Sequence, residues 1–360
     1  MRDAIVVGGG ICGLAAAYEL ARRDVRVVVL ERAEIGAEQS AGLARIFRIA
    51  HTDPRLCALA LEAHAGWARW TEELGTDRLL GDEGLVSAGP AALTGQAPAM
   101  AAAGAGWEAL AAADLPRHVP DAAADHPWGD GLLDPLAGVI RVRRALEALA
   151  ARVAVRTAAA IAIEDHAGGA VVRLAGGELL RADRVLLCAG TEAPVLAATA
   201  GLAVPASFTH HVRLAYRRRA PGPPGACLTV GEAYGLPLGR TGTFGLGLDD
   251  PAAPAPYRTT EADGFAAAVR AQHARWVPRH LPGLEPEPVG EVRCVAVHAP
   301  WLDDHGDGFA AVRLGSVIAF AGSNLMKFAP VLGDRLARTV LAEDGVHPDL
   351  APLPPEQPVD

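Results

Sequence analysis

Three glycines, a glutamate and a solitary lysine are the residues of this chain whose types and spacing offer the most chemistry. Gly8, Gly10 and Gly13 lie as G-x-G-x-x-G within VVGGGICG. That spacing permits a tight turn and lets the backbone approach a pyrophosphate. It also opens onto a helix N-terminus, where free N–H groups and the helix dipole favour an anion. Glu31 follows 18 residues after Gly13, where a carboxylate can accept hydrogen bonds from a ribose hydroxyl. Near the other end, AGSNLMKFAPVLG contains Lys327, the only lysine among 33 Lys and Arg residues. Lysine is a compact point charge on a thin stem and arginine a planar fork, so a crowded site can accept one and reject the other. The plain alternative is a lysine left by drift in a chain rich in Ala, Gly, Pro and Arg.

Positioning these residues takes regular elements. AIVVGGGICGLAAAYELARRDVRVVVLER reads as strand, glycine turn, Ala-rich helix and strand, a βαβ unit beginning at the third residue. With all its parts in register the motif is far more specific than the glycines alone, yet NAD and FAD both suit it. PRLCALALEAHAGWARWTEELG reads as a helix stopped at Gly75, and RVRRALEALAARV as another. Strand-like runs follow in VAVRTAAAIAIE, AVVRLAGGE and RVLLCAG, with turns at HAGG and AGGE. From Phe208 to Leu248, polar and aromatic strands (FTHHVRLAYRR, ACLTVG, YGLPLGRTGTFGLGLD) predict an antiparallel sheet and so a second domain. SVIAFAG returns to a buried strand and PVLGDRLARTVLAED to a helix. That late return, with a strand ending in Ala189-Gly190, favours FAD, because an NAD domain closes with consecutive βα units. Residues 91–124 yield little.

Hydrophobic residues at 51% and charged residues at 21% describe a soluble globular chain, and the net charge of −9 argues against a nucleic-acid partner. The strand and glycine loop begin so early that no signal peptide is expected, and no run reaches membrane-span length. Cys12, Cys57, Cys188, Cys227 and Cys294 are odd in number and scattered, which predicts free thiols in a cytoplasmic setting and no metal site.

Together these residues resemble the FAD-dependent amine oxidases of the sarcosine oxidase and N-methyltryptophan oxidase type, within the D-amino acid oxidase superfamily. The resemblance spans almost the whole chain and is carried by VVGGGICG, RIFR (Arg45 to Arg48), YGLP at Tyr234, VRCV around Cys294 and MKFAPVLG at Lys327. It implies an α/β fold: an FAD-binding Rossmann-like domain (1–80, 138–205 and 300–350), a substrate domain on a mixed or antiparallel sheet (81–137 and 206–299), and a loose tail (351–360). It implies oxidation of a C–N bond by hydride transfer to flavin, with an imine product that water hydrolyses and oxygen as the usual electron acceptor. Lys327 would pair with the substrate carboxylate and Arg48 would be the second cation, while Arg45 would lie at the flavin edge. Tyr234 would hydrogen-bond or close over the amine, its plain alternative being a core tyrosine. The family pattern adds Arg32, Ser40, Gly190, Gly322 and Met326 to Gly8, Gly10, Gly13 and Glu31 as cofactor contacts. Helix dipole charge from near Pro330 would face the flavin edge that becomes negative on reduction. Cys294 would carry FAD covalently, its thiol activated by Arg293, though the family's following Tyr and Thr are here Val295 and Ala296. A cysteine is otherwise a small buried apolar residue.

Departures from that pattern shape the remaining expectations. The family strand ending GLKLG reads FGLGLDD, so Gly247 replaces the lysine that speeds the oxygen reaction, and a later family histidine falls near Pro251. Charge forming on reduced oxygen needs a nearby cation, which puts oxidase activity in doubt unless Arg240, His210 or His211 compensates. Asn324 stands where histidine is common and keeps hydrogen bonding without titration near neutral pH. His210 and His211 share a strand and so face opposite sides, one expected buried and one solvated. Asp303, Asp304, His305 and Asp307 read as a solvated loop rather than a metal site. Two alternatives stand: a degenerate flavoprotein with structural FAD, and a flavin monooxygenase, which AGSN in place of a Gly-Asp-Ala signature disfavours. The expected partner is a small amine with a carboxylate, with no nucleic acid or membrane; the chain is a monomer or an oligomer of unknown order.

Overall fold

The structure is a computed structural model that describes residues 3–204, 206–220, 222–223, 225–231, 233–239, 242–248, 262–298 and 308–351. Arg240, Pro251 and the acidic loop Asp303–Asp307 lie outside the described residues. The chain divides into two compact units. One holds residues 1–41, 144–209 and 295–360, the other 42–143 and 210–294.

The first unit is built on a six-stranded sheet whose centre is the expected βαβ. Strand Asp3–Val7 runs parallel to Arg26–Glu31 on one side and to Arg184–Leu187 on the other. Val317–Gly322 then adds in parallel to Arg184–Leu187, and Phe309–Leu314 closes that edge antiparallel. All six residues of Val317–Gly322 are buried, as a strand covered on both faces requires. Helix Ile11–Ala21 packs against helix Ala329–Leu341, at a separation that glycine sets. A Cβ on Gly333 would sit 2.9 Å from the backbone carbonyl carbon of Ala15. Glu19, buried at the end of the first helix, pairs with Arg23, whose other amine pairs with Asp334 on the second. A separate three-stranded antiparallel sheet, from Ala160 to Ala182, packs its apolar residues into the same core.

The second unit carries an eight-stranded mixed sheet. Ser207–Arg218 pairs antiparallel with Thr243–Leu248, which pairs with Ala233–Pro237, then Cys227–Val230. Leu85–Ala88 joins that edge in parallel, a strand the sequence did not signal. One face is apolar: Leu214, Leu246, Leu228 and Val86 are buried in a cluster with Val269 and Val277 of helix Ala262–His280. Helix Pro54–Glu73 starts on Asp53, whose carboxylate accepts from the Arg55 amide, and ends before Gly75 at φ +61°. It belongs with this unit, although it was expected with the cofactor domain. The reason is local: strand Ala44–Phe47 pairs with Gly138–Arg141, and the buried Asp134 carboxylate accepts from the amides of Ile49 and Ala50 at 2.6 and 3.1 Å. Those bonds fasten the chain after Arg48 to the second unit. Residues 92–102 are helical in an Ala-rich run that offered no periodicity.

Inside the apolar face, Tyr216 Oη lies 3.1 Å from His273 Nδ1, and the His273 side chain is wholly buried. Burial draws His273 down to about 4. The unfolded chain takes up this proton near the ordinary value of 6.5, so the group's contribution is complete above that pH and is lost as pH falls toward 4. We expect His273 to remove about 2–3 kcal/mol of stability between pH 7 and 4.5. His273→Phe should flatten that limb in urea unfolding; an identical acid loss in the variant would place the sensitivity elsewhere.

Candidate active site

The glycine loop in the first unit has the shape that its sequence predicts. Gly8 sits at φ +113°, and a Cβ there would lie 2.3 Å from the Cys188 carbonyl oxygen. A Cβ on Gly13 would lie 2.0 Å from the Gly8 carbonyl oxygen. Only glycine fits either place. The Ser40 hydroxyl accepts from the Ile11 amide at 3.1 Å, capping the start of the helix, and a Gly10 Cβ would lie 3.2 Å from that hydroxyl oxygen. Glu31 accepts from the Gly9 amide at 2.7 Å and from the Ala33 amide at 3.0 Å. Its carboxylate is thus fixed beside the loop at the end of the second strand. Arg32 pairs with Glu38 and with Glu192. Cys12 and Cys188 lie beneath the loop as neutral thiols, burial pushing Cys12 up to about 12 and Cys188 well above its ordinary range.

Gly190 turns at φ +54° after its strand, and Gln39, close to it, donates to the Gly322 carbonyl at 3.2 Å. Gly322 is itself required, since a Cβ would meet Phe309 and the Gly308 carbonyl at 2.6 and 2.7 Å. Past it Asn324 takes a left-handed conformation, φ 54° and ψ 29°, at the head of the short turn Leu325–Phe328. Asparagine tolerates that geometry because its short side chain can bond locally. Met326 and Lys327 are buried in this turn, Lys327 with 6% exposure and Nζ 5.3 Å from the Phe328 ring centroid. Helix Ala329–Leu341 starts directly after it. The expectation that helix charge starts near Pro330 therefore needs one refinement: a separate turn precedes the helix, and that turn holds Lys327.

In the second unit the structure brings Arg45, Tyr234 and Cys294 together and adds Arg213, which sequence reasoning missed. Arg213, Gly247 and Tyr234 occupy directly opposed positions on three adjacent strands, so all three face the same side of the sheet. A Cβ on Gly247 would lie 2.2 Å from Tyr234 Cζ and 2.4 Å from its hydroxyl. The tyrosine ring thus covers the glycine, and any side chain at 247 requires Tyr234 to swing away. The positive charge absent from 247 is present one strand over, at Arg213. His210 packs against Phe265 of the helix on the opposite face. His211 alternates with it to the Arg213 side, and both histidines are half-buried rather than one buried and one solvated.

Arg45 lies against this face, its strand packed on Ala233–Pro237. Burial first, and the Arg213 charge second, draw its guanidinium below the ordinary arginine range. Cys294 is half-buried near Arg45. The exposed Arg293 guanidinium pairs with Glu291, two residues away on the same face of strand Leu284–His298, and Cys294 is the next residue along. Arg48 is half-buried immediately before the two amides held by Asp134.

Among the described residues no group of three or more His, Cys, Asp or Glu is placed to hold a metal ion, and no helix is long and apolar enough to cross a membrane. A βαβ unit with a glycine cradle, a fixed terminal carboxylate and a returning strand and helix defines a dinucleotide-binding fold. The cradle fits a pyrophosphate on positive grounds, since its glycines leave the helix N-terminus open where a side chain would close it. The family described as "FAD dependent oxidoreductase" matches residues 3–339. This chain belongs to that family, and FAD is its cofactor. It is 27% identical over 365 residues to peroxisomal sarcosine oxidase of Homo sapiens, covering 92% of this chain and 90% of that protein. Its fold superimposes on the open form of NikD, an amino acid oxidase of nikkomycin biosynthesis, with a TM-score of 0.84, 25% identity and 98% of each chain covered. Glycine oxidase from Geobacillus kaustophilus shares the fold at 18% identity, with a TM-score of 0.79 and 98% and 99% of the chains covered.

Proposed function

We propose that this protein oxidises the C–N bond of an amino or imino acid, secondary amines included, to an imine. The observation that carries this reading is Lys327. A compact cation at 6% exposure, in the turn that opens a helix and beside the Phe328 ring, is suited to one small anionic group where an arginine fork would be crowded. A substrate carboxylate bound there gains a charge-assisted bond and is oriented by it. Arg48 is the second cation, held in place through the Asp134 bonds to the residues that follow it. Tyr234 presents its hydroxyl on the sheet face as a hydrogen-bond partner for the amine. Bound FAD supplies the hydride acceptor, held by the Gly8–Gly13 loop, Glu31, Arg32, Ser40, Gly190, Gly322 and Met326, with Cys294 as the candidate for covalent attachment. The peroxisomal sarcosine oxidase relative and NikD, an amino acid oxidase by description, support this choice of substrate class.

Gly247 by itself argues for slow oxygen reactivity, but Arg213 opposite it keeps a guanidinium on the same face. We therefore read oxygen as an accessible acceptor. Anaerobic mixing of the holoprotein with proline, N-methylglycine and glycine should bleach the flavin with at least one of them. Aerated buffer should then restore the oxidised spectrum within seconds. If no amino or imino acid bleaches it, and Arg48→Ala leaves carboxylate binding unchanged, the flavin is structural. Bleaching followed by recovery over minutes would keep the amine oxidation and remove oxygen as the acceptor.

A further inference from the structure

We infer that Asn324 is a positioning residue: its left-handed backbone sets where the Lys327 ammonium stands, and so how tightly a carboxylate is held. The inference rests on Lys327 as the cation that takes the substrate carboxylate. Its first support lies in the sequence. Asn324 is the only asparagine among the 360 residues, and it stands three positions before the only lysine. Two residues left by independent drift would seldom fall so close together in a chain of this length. A requirement shared by one short segment puts them side by side.

The second support is the backbone. Among the described residues other than glycine, positive φ occurs only at Asp24 and Asn324. Asp24 lies in an exposed turn, its amide donating to the Ala21 carbonyl at 3.1 Å. Asn324 is also exposed, but the chain on either side of it is buried and bonded. Ser323, 1% exposed, donates its amide to the Gly308 carbonyl at 3.1 Å, and the strand before it is buried throughout. On the other side Met326, Lys327 and Phe328 are buried, and the Ala329 amide donates to the Met326 carbonyl to close the turn. A single residue therefore sets the angle between a fixed strand and a fixed turn. A change of φ and ψ there would swing the Lys327 stem with it. Left-handed geometry is costly for residues that carry a Cβ, with glycine and asparagine the usual exceptions. Such backbone persists where the surrounding structure over-determines it, and it clusters at binding sites.

The third support is the choice of residue. Glycine would reach the same φ and ψ but leave the chain freer. Aspartate would reach them too, yet would set a carboxylate three residues from the ammonium, in competition with the ligand. Asparagine holds the geometry with neither fault.

The test reads acetate binding to the holoprotein by flavin absorbance, with thermal unfolding of the same samples. Asn324→Ala removes the side chain and penalises the left-handed backbone. Acetate affinity should fall about tenfold, because only the fraction of molecules that keeps the turn binds well. Asn324→Gly removes the same side chain but permits the backbone, so its affinity should stay within about threefold of wild type. A contact made by the amide group itself would be lost equally in both variants. In Lys327→Met, adding Asn324→Ala should cost no further affinity, since the two residues act through one ammonium. Should the alanine variant lose its flavin, the glycine variant carries the test. Affinity near wild type then supports the inference, and a loss as large as that expected for alanine overturns it. Equal losses in the two variants, or a lower melting temperature in Asn324→Ala with acetate affinity intact, also overturn it while the role of Lys327 stands. If Lys327→Met itself leaves acetate affinity unchanged, the reading of Lys327 fails and this inference falls with it.

Discussion

Gly13→Ala is expected to yield a colourless protein. The added methyl would lie 2.0 Å from the Gly8 carbonyl oxygen, 3.2 Å from its carbonyl carbon and 3.3 Å from Val6 Cγ1. The first two are backbone atoms of the loop itself, so no side-chain rotation relieves the contact. The helix must instead move off the strand, which takes the amides at its start away from the pyrophosphate. Overpacking of this kind costs about 3 kcal/mol or more, equivalent to about a hundredfold or greater loss of FAD affinity. A thioether at Cys294 would not rescue the variant, because attachment requires that the flavin first be bound and oriented. The measurement is the flavin-to-protein ratio of purified variant and wild type, before and after acid precipitation, beside a far-UV spectrum. Flavin that stays with precipitated wild type but not with Cys294→Ala establishes the covalent link. A fully loaded Gly13→Ala would mean that the cofactor is not held by this loop.

The reasons that loop was legible are local. Strand, turn and helix lie within twenty residues, so hydrophobic period and glycine spacing report on the same short stretch of chain. The same holds for the helix Pro54–Glu73, with a capping Asp53 at one end and Gly75 at the other. It holds too for the strand Val317–Gly322, apolar throughout. What escaped was set by pairing between distant segments. Asp134 looks like any strand-end aspartate until the fold brings it under the amides of Ile49 and Ala50, 85 and 84 positions away. Arg213 looks like an arginine in a polar strand. Only the antiparallel register places it opposite Gly247, a pairing between positions 34 residues apart with two other strands between them in the chain. The missing family lysine was visible as a substitution, but its meaning was not. Read alone, Gly247 is a lost charge; in the sheet it is the floor under Tyr234 and the neighbour of Arg213.

Lys327→Met separates a catalytic reason for the solitary lysine from an accidental one, because the two make opposite claims about binding. The side chain is 6% exposed, between the buried Met326 and Phe328, in a turn that feeds the N-terminus of a helix. Methionine nearly matches its volume, so the packing of the turn and the melting temperature should be kept to within a few degrees. Binding of small carboxylic acids, from acetate upward, should weaken by about 30- to 100-fold, the 2–3 kcal/mol of a lost charge-assisted bond. Lys327→Arg preserves the charge but enlarges the group where Phe328 already lies 5.3 Å from Nζ. It should lose most of that affinity too, with some loss of stability from overpacking. Titration by flavin absorbance, paired with thermal unfolding of the same samples, reads both quantities. Carboxylate affinity untouched in both variants would make the lysine an accident of composition, and the substrate's anion would then have to be sought at the arginines of the second unit.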